Sequence, residues 1–277
     1  MTTLRDRIEE RALSAYTATT MARMPSRQEG GQWVMTVEAV TDVAAHVRRI
    51  TFSAAEFRSY VTNGADEYFG LLIPRDGRLV MPDPHEVNLR RAVHRMPEDD
   101  RPELRWYTLR AVRPEQGEVD VDVVLHGDAG PGSAWATRVA IGEQVGFRQH
   151  TALHLPPATG HQLLIADETG APALAAILES LDNPAAATVL VEVPDLGYLS
   201  PLPDGIEAIV VQRGDRQPGE AALERLTGLD LPALSYAWIC GEHTLATGVR
   251  RHLVKERDVN RRSVMFSSFW TLGEART

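Results

Sequence analysis

The chain has 277 residues, with Lys+Arg 29 against Asp+Glu 38, a formal net charge of −9, 43% hydrophobic residues and 24% charged residues. These proportions argue against disordered, collagen-like and membrane-spanning classes, and the acidic balance argues against a nucleic-acid binder, because neutralising phosphates needs a basic surface. Cys240 is the only cysteine, so no intrachain disulfide, thiolate zinc cluster or cysteine-bound iron–sulfur centre can form, and redox chemistry here would need an organic cofactor.

Residues 1–24 have helical spacing, with Leu4, Ile8, Ala12 and Leu13 on one face, and run into the turn-rich linker PSRQEGGQ. Charges are mixed into the first turns and no continuous apolar stretch follows, so the segment is not a secretory signal. No apolar run reaches about 18 residues. A cytoplasmic protein is expected, without membrane insertion. The apolar stripe of residues 1–24 is compatible with a monomer or a homodimer.

From Trp33 the pattern changes to short β-type runs: WVMTVEAV, HVRRITFS, YFGLLIP, RWYTLRAV, VDVDVVLHG and EQVGFRQ, spaced as in a barrel or sandwich. Pro74 to Pro102 reads as a long loop, and GPGSAWATRVA as a glycine-rich turn leading into a short helix. Beyond TALHLPPATG, strands (HQLLIAD, ATVLVEV, IEAIVVQR, YAWICG, SVMFSSFW) alternate with helices (APALAAILESL, GEAALERLTGL, EHTLATGVRRHLVKER), the signature of a parallel, doubly wound sheet. The expected division is a helical extension and linker at 1–30, an antiparallel β domain at 31–157 and an α/β domain at 158–277.

Several segments could carry chemistry. Arg105-Trp106-Tyr107-Thr108 puts a cation, aromatic plates and a hydroxyl on one strand, as an anionic planar dinucleotide requires; the same residues also suit an ordinary amphipathic edge strand. His126-Gly127-Asp128-Ala129-Gly130-Pro131-Gly132-Ser133 precedes a helix, where unhindered backbone N–H groups form an anion site or simply a tight turn. Asp167-Glu168-Thr169 stands where a nucleotide-binding unit would carry its glycine fingerprint, which is absent. Asp167 or Thr169 suits either a ribose or an N-cap.

At later strand ends, Arg213 precedes a polar turn, and Gly241-Glu242 follows Cys240. Gly241 suits close approach of a cofactor, with Cys240 a small apolar core residue. Arg250, Arg251, His252, Lys255 and Arg257 make one helix end basic, either against the helix C-terminus or as a steering patch for an anionic substrate. No H-E-x-x-H motif is present, and no protein-bound metal is expected. Lys255 is the sole lysine among the 29 cations, a skew that fits genomic habit or arginine's fixed fork for phosphate and carboxylate.

Together these segments resemble the siderophore-interacting protein family, the FAD-binding ferric-siderophore reductases related to vibriobactin utilisation proteins. The resemblance runs from about Trp33 to Trp270. It rests on Arg105-Trp106-Tyr107-Thr108, on Leu125-His126-Gly127 with Gly130-Pro131-Gly132-Ser133 and Trp135-Ala136, on Asp167-Glu168-Thr169 with Pro172-Ala173, on Arg213-Gly214, and on Tyr236-Ala237-Trp238 with Gly241-Glu242. It implies a β plus α/β, ferredoxin-reductase-like architecture, in which an N-terminal antiparallel β-barrel FAD domain is followed by a parallel-sheet NAD(P)H-binding domain.

The resemblance also implies roles. Arg105 would bind flavin phosphates, Tyr107 would pack on the flavin with Trp106 beside it, and Thr108 would act catalytically near the reactive N5. His126, Gly127, Gly130, Gly132 and Ser133 would complete the cradle. Asp167, Glu168, Thr169, Gly241 and Glu242 would lie toward the adenine and the NADPH or NADH donor, and Arg213, Arg250 and Arg251 toward the ferric siderophore or other ferric chelate. The sequence departs from the family pattern at Ala166, at Gly170-Ala171 and at Ser268-Phe269-Trp270-Thr271. A general NAD(P)H:flavin oxidoreductase and a non-catalytic FAD-binding module are the alternative readings.

Overall fold

The computed structural model describes residues 19–27, 30–126 and 130–274. The expected helix over 1–24 lies mostly outside them. Within it, Thr19 and Thr20 are helical and the chain then bends and runs on without regular structure: Ala22 N–H donates to the Val264 carbonyl at 3.0 Å, and the Thr151 hydroxyl donates to the Pro25 carbonyl at 2.8 Å.

Seven strands form the first sheet: β1 (Gln32–Ala44), β2 (Val47–Ser53), β3 (Tyr68–Ile73), β4 (Glu103–Thr108), β5 (Ala111–Arg113), β6 (Glu118–Val124) and β7 (Gln144–Gln149), in the order β4-β3-β7-β1-β2-β6-β5, with every pairing antiparallel. Period-two alternation decides what lies inside. Ile50 and Phe52 on β2 and Val119, Val121 and Val123 on β6 are buried with Phe69 and Phe147. Trp33 stacks on Phe147 at 4.4 Å between ring centroids.

The intervening Asp120 and Asp122 of β6 face the other way, where Thr51 donates to Asp120 at 2.7 Å and Arg49 grips Asp122 through bonds of 2.7 and 2.9 Å. RWYTLRAV, expected as one strand, is two. It bends at Leu109–Arg110, so that β4 and β5 stand at opposite edges of the sheet and the chain itself joins them. The Arg110 amide already bonds to the Asp120 carbonyl at 2.8 Å.

Two further helices belong to this half. The expected loop from Pro74 to Pro102 contains α1 (Leu89–His94), capped by Asn88, whose side chain accepts from the Arg91 amide at 3.0 Å. Leu89 and Ala92 bury against Leu72, an apolar pair that Pro- and Asp-rich surroundings mask in the sequence. Helix α2 (Pro131–Arg138) opens with Pro131 at its first turn.

The second sheet is parallel throughout: β8 (His161–Asp167), β9 (Ala187–Val193), β10 (Ala208–Gln212), β11 (Leu234–Glu242) and β12 (Val264–Trp270), in the order β10-β9-β8-β11-β12. Helices α3 (Ala171–Glu179), α4 (Glu220–Thr227) and α5 (His243–Lys255) connect them. The strand order reverses between β8 and β11, and open sheets of this kind bind ligands at that point, beyond the strands' carboxyl ends.

Asp66, in the β2–β3 connection, fixes one sheet against the other. It is 2% exposed, and it accepts from the Leu153 and His154 amides at 3.0 and 2.9 Å and from Trp238 Nε1 of β11 at 2.9 Å. A second tie is Arg110, bound to Glu179 at the end of α3 by bonds of 2.7 and 2.6 Å.

Candidate active site

A cleft of about 760 Å³ lies where the two sheets meet. Its first wall is β4: Arg105, Trp106, Tyr107 and Thr108 all line it. Neighbours in a strand normally face opposite ways, but β4 is an edge strand, and the cleft reaches both of its faces. Arg105 is steadied by Leu104, whose carbonyl accepts from its Nη1 at 2.6 Å. Burial pushes the Tyr107 hydroxyl up to about 12, the Arg105 charge opposing.

The start of α2 forms the second wall. Gly130 is its N-cap in extended conformation with no side-chain cap bond, and Gly130, Pro131, Gly132 and Ser133 all face the cleft. A helix beginning this way presents its positive end to an anion. A Cβ on Gly132 would sit 2.5 Å from Tyr107 Oη and 3.3 Å from Arg105 Cγ, so a side chain here would have to displace the Tyr107 hydroxyl. His126 lines the cleft and ties the turn down by donating its amide to Ser133 Oγ at 3.0 Å. Burial lowers the pKa of its ring, which favours neutral imidazole. Gly127 lies outside the described residues.

The third wall comes from the parallel sheet: Thr169 and Pro172 after β8, and Ser267 and Phe269 through Glu274 at the end of β12. Asp167 stands behind it, fully buried. Its Oδ1 accepts from the Thr169 amide (2.8 Å), the Thr169 hydroxyl (2.6 Å) and the Gly170 amide (3.0 Å), while its Oδ2 accepts from the Glu242 amide (2.7 Å) and Trp270 Nε1 (2.8 Å).

Gly241, at φ +151°, has no room for a side chain, because a Cβ would lie 2.6 Å from the Asp167 carboxyl carbon. The group that approaches Gly241 is therefore this carboxylate. Gly170 is required in the same way by the Cys240 carbonyl, 2.5 Å from where its Cβ would be.

The remaining expected residues do not line the cleft. Glu168 is fully buried and clamped by Arg213 through two bonds of 2.6 and 2.7 Å. Arg213 thus neutralises a buried acid. Glu242 caps α5 by accepting from the Thr244 and Leu245 amides. Arg250 lies over the Phe266 ring at 4.6 Å and donates to the Thr20 carbonyl at 2.9 Å. Arg251 is exposed on α5.

Tyr68, Asp122, Phe269 and Trp270 line the cleft without having been expected. Asp122 carried a signal, since Asp122 and Val124 alternate along β6 toward His126 just beyond its end. Trp270 did too, standing at the carboxyl end of a parallel strand. Among the described residues, no group of three or more His, Cys, Asp and Glu side chains could hold a metal ion.

The arrangement suits FAD: aromatic side chains for planar rings, one arginine and an uncapped helix start for phosphates, and glycines at that start whose backbone is open to the cleft. A family model described as a siderophore-interacting FAD-binding domain matches residues 36–152, and one described as siderophore-interacting protein matches residues 159–273. The NADPH-dependent ferric-chelate reductase of Escherichia coli K12 is 29% identical over 245 residues, covering 85% of this chain and 91% of its own.

Ferric vibriobactin reductase ViuB of Vibrio cholerae is 28% identical over 184 residues, 64% of this chain and 67% of its own. The siderophore-interacting protein SipS from Aeromonas hydrophila, a solved structure, aligns over 88% of this chain and 92% of its own with TM-score 0.72 and 28% identity. The paired antiparallel and parallel sheets are of the ferredoxin-reductase type. The chain belongs to the siderophore-interacting protein family.

Proposed function

We propose that this protein reduces ferric siderophores or related ferric chelates with electrons from NADPH or NADH, through FAD held in the cleft. The observation that carries this reading is the convergence on one cleft of β4, the uncapped start of α2 and the strand ends of the parallel sheet. FAD, when bound, accepts a hydride and passes on single electrons. Two ferric ions are reduced per nicotinamide oxidised, and the weaker hold of oxygen-donor chelators on Fe(II) releases the metal.

The protein's own part is placement. Arg105 and the N-terminal turn of α2 would hold phosphate charge, Trp106 and Tyr107 would offer apolar plates, and Thr108, 8% exposed on the cleft-facing strand, would offer the cofactor a hydroxyl donor. No side-chain nucleophile is needed. Residues 31–157 serve as the flavin domain and 158–277 as the nucleotide domain. A single chain supplies every wall of the cleft, so a monomer suffices. The cytoplasm, which supplies reduced nicotinamide, is where we place the reaction; no described helix is long and apolar enough to cross a membrane.

The test is an absorbance spectrum of the purified protein followed by anaerobic addition of NADH or NADPH, then of a ferric chelate with an Fe(II) trap. Bleaching of a flavin spectrum, its return with the chelate, and slower turnover in Thr108→Ala are expected. A colourless protein that takes up no FAD would overturn the reading. A flavin that bleaches but ignores ferric chelates would leave a flavin oxidoreductase with another acceptor.

A further inference from the structure

Two buried carboxylates at the carboxyl ends of neighbouring parallel strands share one bonding pattern. Asp167 ends β8 and Glu242 ends β11, 0% and 1% exposed. Each commits one oxygen to the turn that starts its own following helix. For Asp167 this is Oδ1, accepting from the Thr169 and Gly170 amides; for Glu242 it is Oε2, accepting from the Thr244 and Leu245 amides.

Each turns its other oxygen to the end of β12 and the residues just past it, Asp167 Oδ2 also accepting from the Glu242 amide. Asp167 Oδ2 takes Trp270 Nε1–H at 2.8 Å, and Glu242 Oε1 takes the Leu272 amide at 3.1 Å. Trp270 through Glu274 form one wall of the cleft, facing β4.

Apolar burial does little to hold this segment, since Leu272 is 52% exposed and Gly273 and Glu274 are exposed as well. Bonds to buried charged acceptors are stronger than bonds between neutral groups and hold their geometry because water does not compete for the acceptor.

We propose that Asp167 and Glu242 are positioning residues: they fix the Trp270–Glu274 wall, and through it the slot in which the nicotinamide donor meets the flavin, without touching either. The inference rests on the proposed reaction for its kinetic consequence and on geometry alone for the position of the wall. An amide has one acceptor oxygen where a carboxylate has two. The one oxygen left in Asp167→Asn and Glu242→Gln stays with the two amides of the helix start, and the single bond to the wall is lost.

The experiment measures amide exchange over residues 270–274, FAD content and steady-state kinetics in the donor, in full-length wild type, Asp167→Asn, Glu242→Gln, Trp270→Phe and the double variant Asp167→Asn/Trp270→Phe. Trp270→Phe keeps a smaller aromatic ring in the wall, removes the N–H and leaves both carboxylates in place, so it guards against misfolding of the carboxylate variants.

Expected are faster exchange at 270–274 in every single variant, unchanged FAD content, and a donor KM raised about tenfold with a smaller change in kcat, the scale of one bond to a charged group. The double variant is expected to be no worse than the worse single, because both changes break the same bond. Wild-type exchange in Asp167→Asn and Trp270→Phe, or effects that multiply in the double variant, would overturn the proposal. If no variant or wild type holds FAD, the proposed reaction falls, and the exchange data still decide what holds the wall.

Discussion

Arg213 and Glu168 meet as a two-bonded pair, 2.6 and 2.7 Å, with the acid fully buried and the arginine 8% exposed. Arg213 follows β10 and Glu168 follows β8, so the pair spans two strands that β9 separates. Glu192 at the end of β9 lies 4.0 Å from the same guanidinium and caps α4 by accepting from the Gly219 and Ala222 amides.

Arg213→Met leaves Glu168 buried without its counter-charge and is expected to cost about 3–5 kcal/mol. The double change Glu168→Gln/Arg213→Met is expected to recover much of that loss. Urea unfolding of both variants checks it. A double variant as unstable as Arg213→Met alone would contradict this account.

Gly132→Ala places a methyl 2.5 Å from Tyr107 Oη. The Tyr107 ring or the helix start must then shift, at a typical overpacking cost of about 1–3 kcal/mol. FAD affinity is expected to fall about tenfold to a hundredfold, read by titrating apoprotein with the cofactor. Gly130→Ala is the control: its Cβ would meet nothing within 4 Å, and affinity should change far less.

Burial and the neighbouring Glu168 push the Asp167 carboxyl up from 3.8 to about 6, against the donors that hold it down. The folded protein therefore binds this proton more tightly than the unfolded chain. Its stabilising contribution is full below the unfolded value and is lost as pH rises through the folded one. Wild-type unfolding free energy relative to Asp167→Asn, which does not titrate, is expected to fall by up to about 3 kcal/mol between about pH 4 and 7. Chemical denaturation across that range measures the slope; a rising difference has the wrong sign.

Arg110 and Glu179 join the two sheets unequally, at 8% and 46% side-chain exposure. Glu179→Ala removes a half-solvated partner and is expected to cost about 1 kcal/mol or less. Arg110→Ala also empties a buried position 3.9 Å from Asp122 and is expected to cost about 2–3 kcal/mol. Thermal unfolding of the two variants should show this order.

Cys240 is fully buried on β11, and burial pushes its thiol well above the usual value. The native protein is expected to resist a thiol-reactive dye and to take up one equivalent when denatured. Rapid labelling of the folded protein would place the thiol at a surface.

Much of the architecture was legible in the chain. Alternation over 47–53 and 118–124 has the period of a half-buried sheet, and HQLLIAD, ATVLVEV and YAWICG have the continuous apolarity of parallel strands covered on both faces. Helix α1 escaped because its six residues show less than two turns of periodicity, and only contact with Leu72 makes its apolar face count. The bend at Leu109–Arg110 escaped because strand propensity does not register which partner strand each half will find.

By itself the sequence determined the two-part division, the residues of the β4 and α2 walls, and the family resemblance, because these follow from local periodicity, turn chemistry and contiguous motifs. The tertiary structure alone showed which groups surround Asp167, Glu168, Arg213, Gly241 and Glu242. A lone acid, arginine or glycine at a strand end serves a ligand, a cap or an ion pair equally well. What separates these roles is the group that folding brings from a distant segment: Arg213 onto Glu168, and the Trp270 indole onto Asp167. Such partners are paired by sheet order, which no window of neighbouring residues contains.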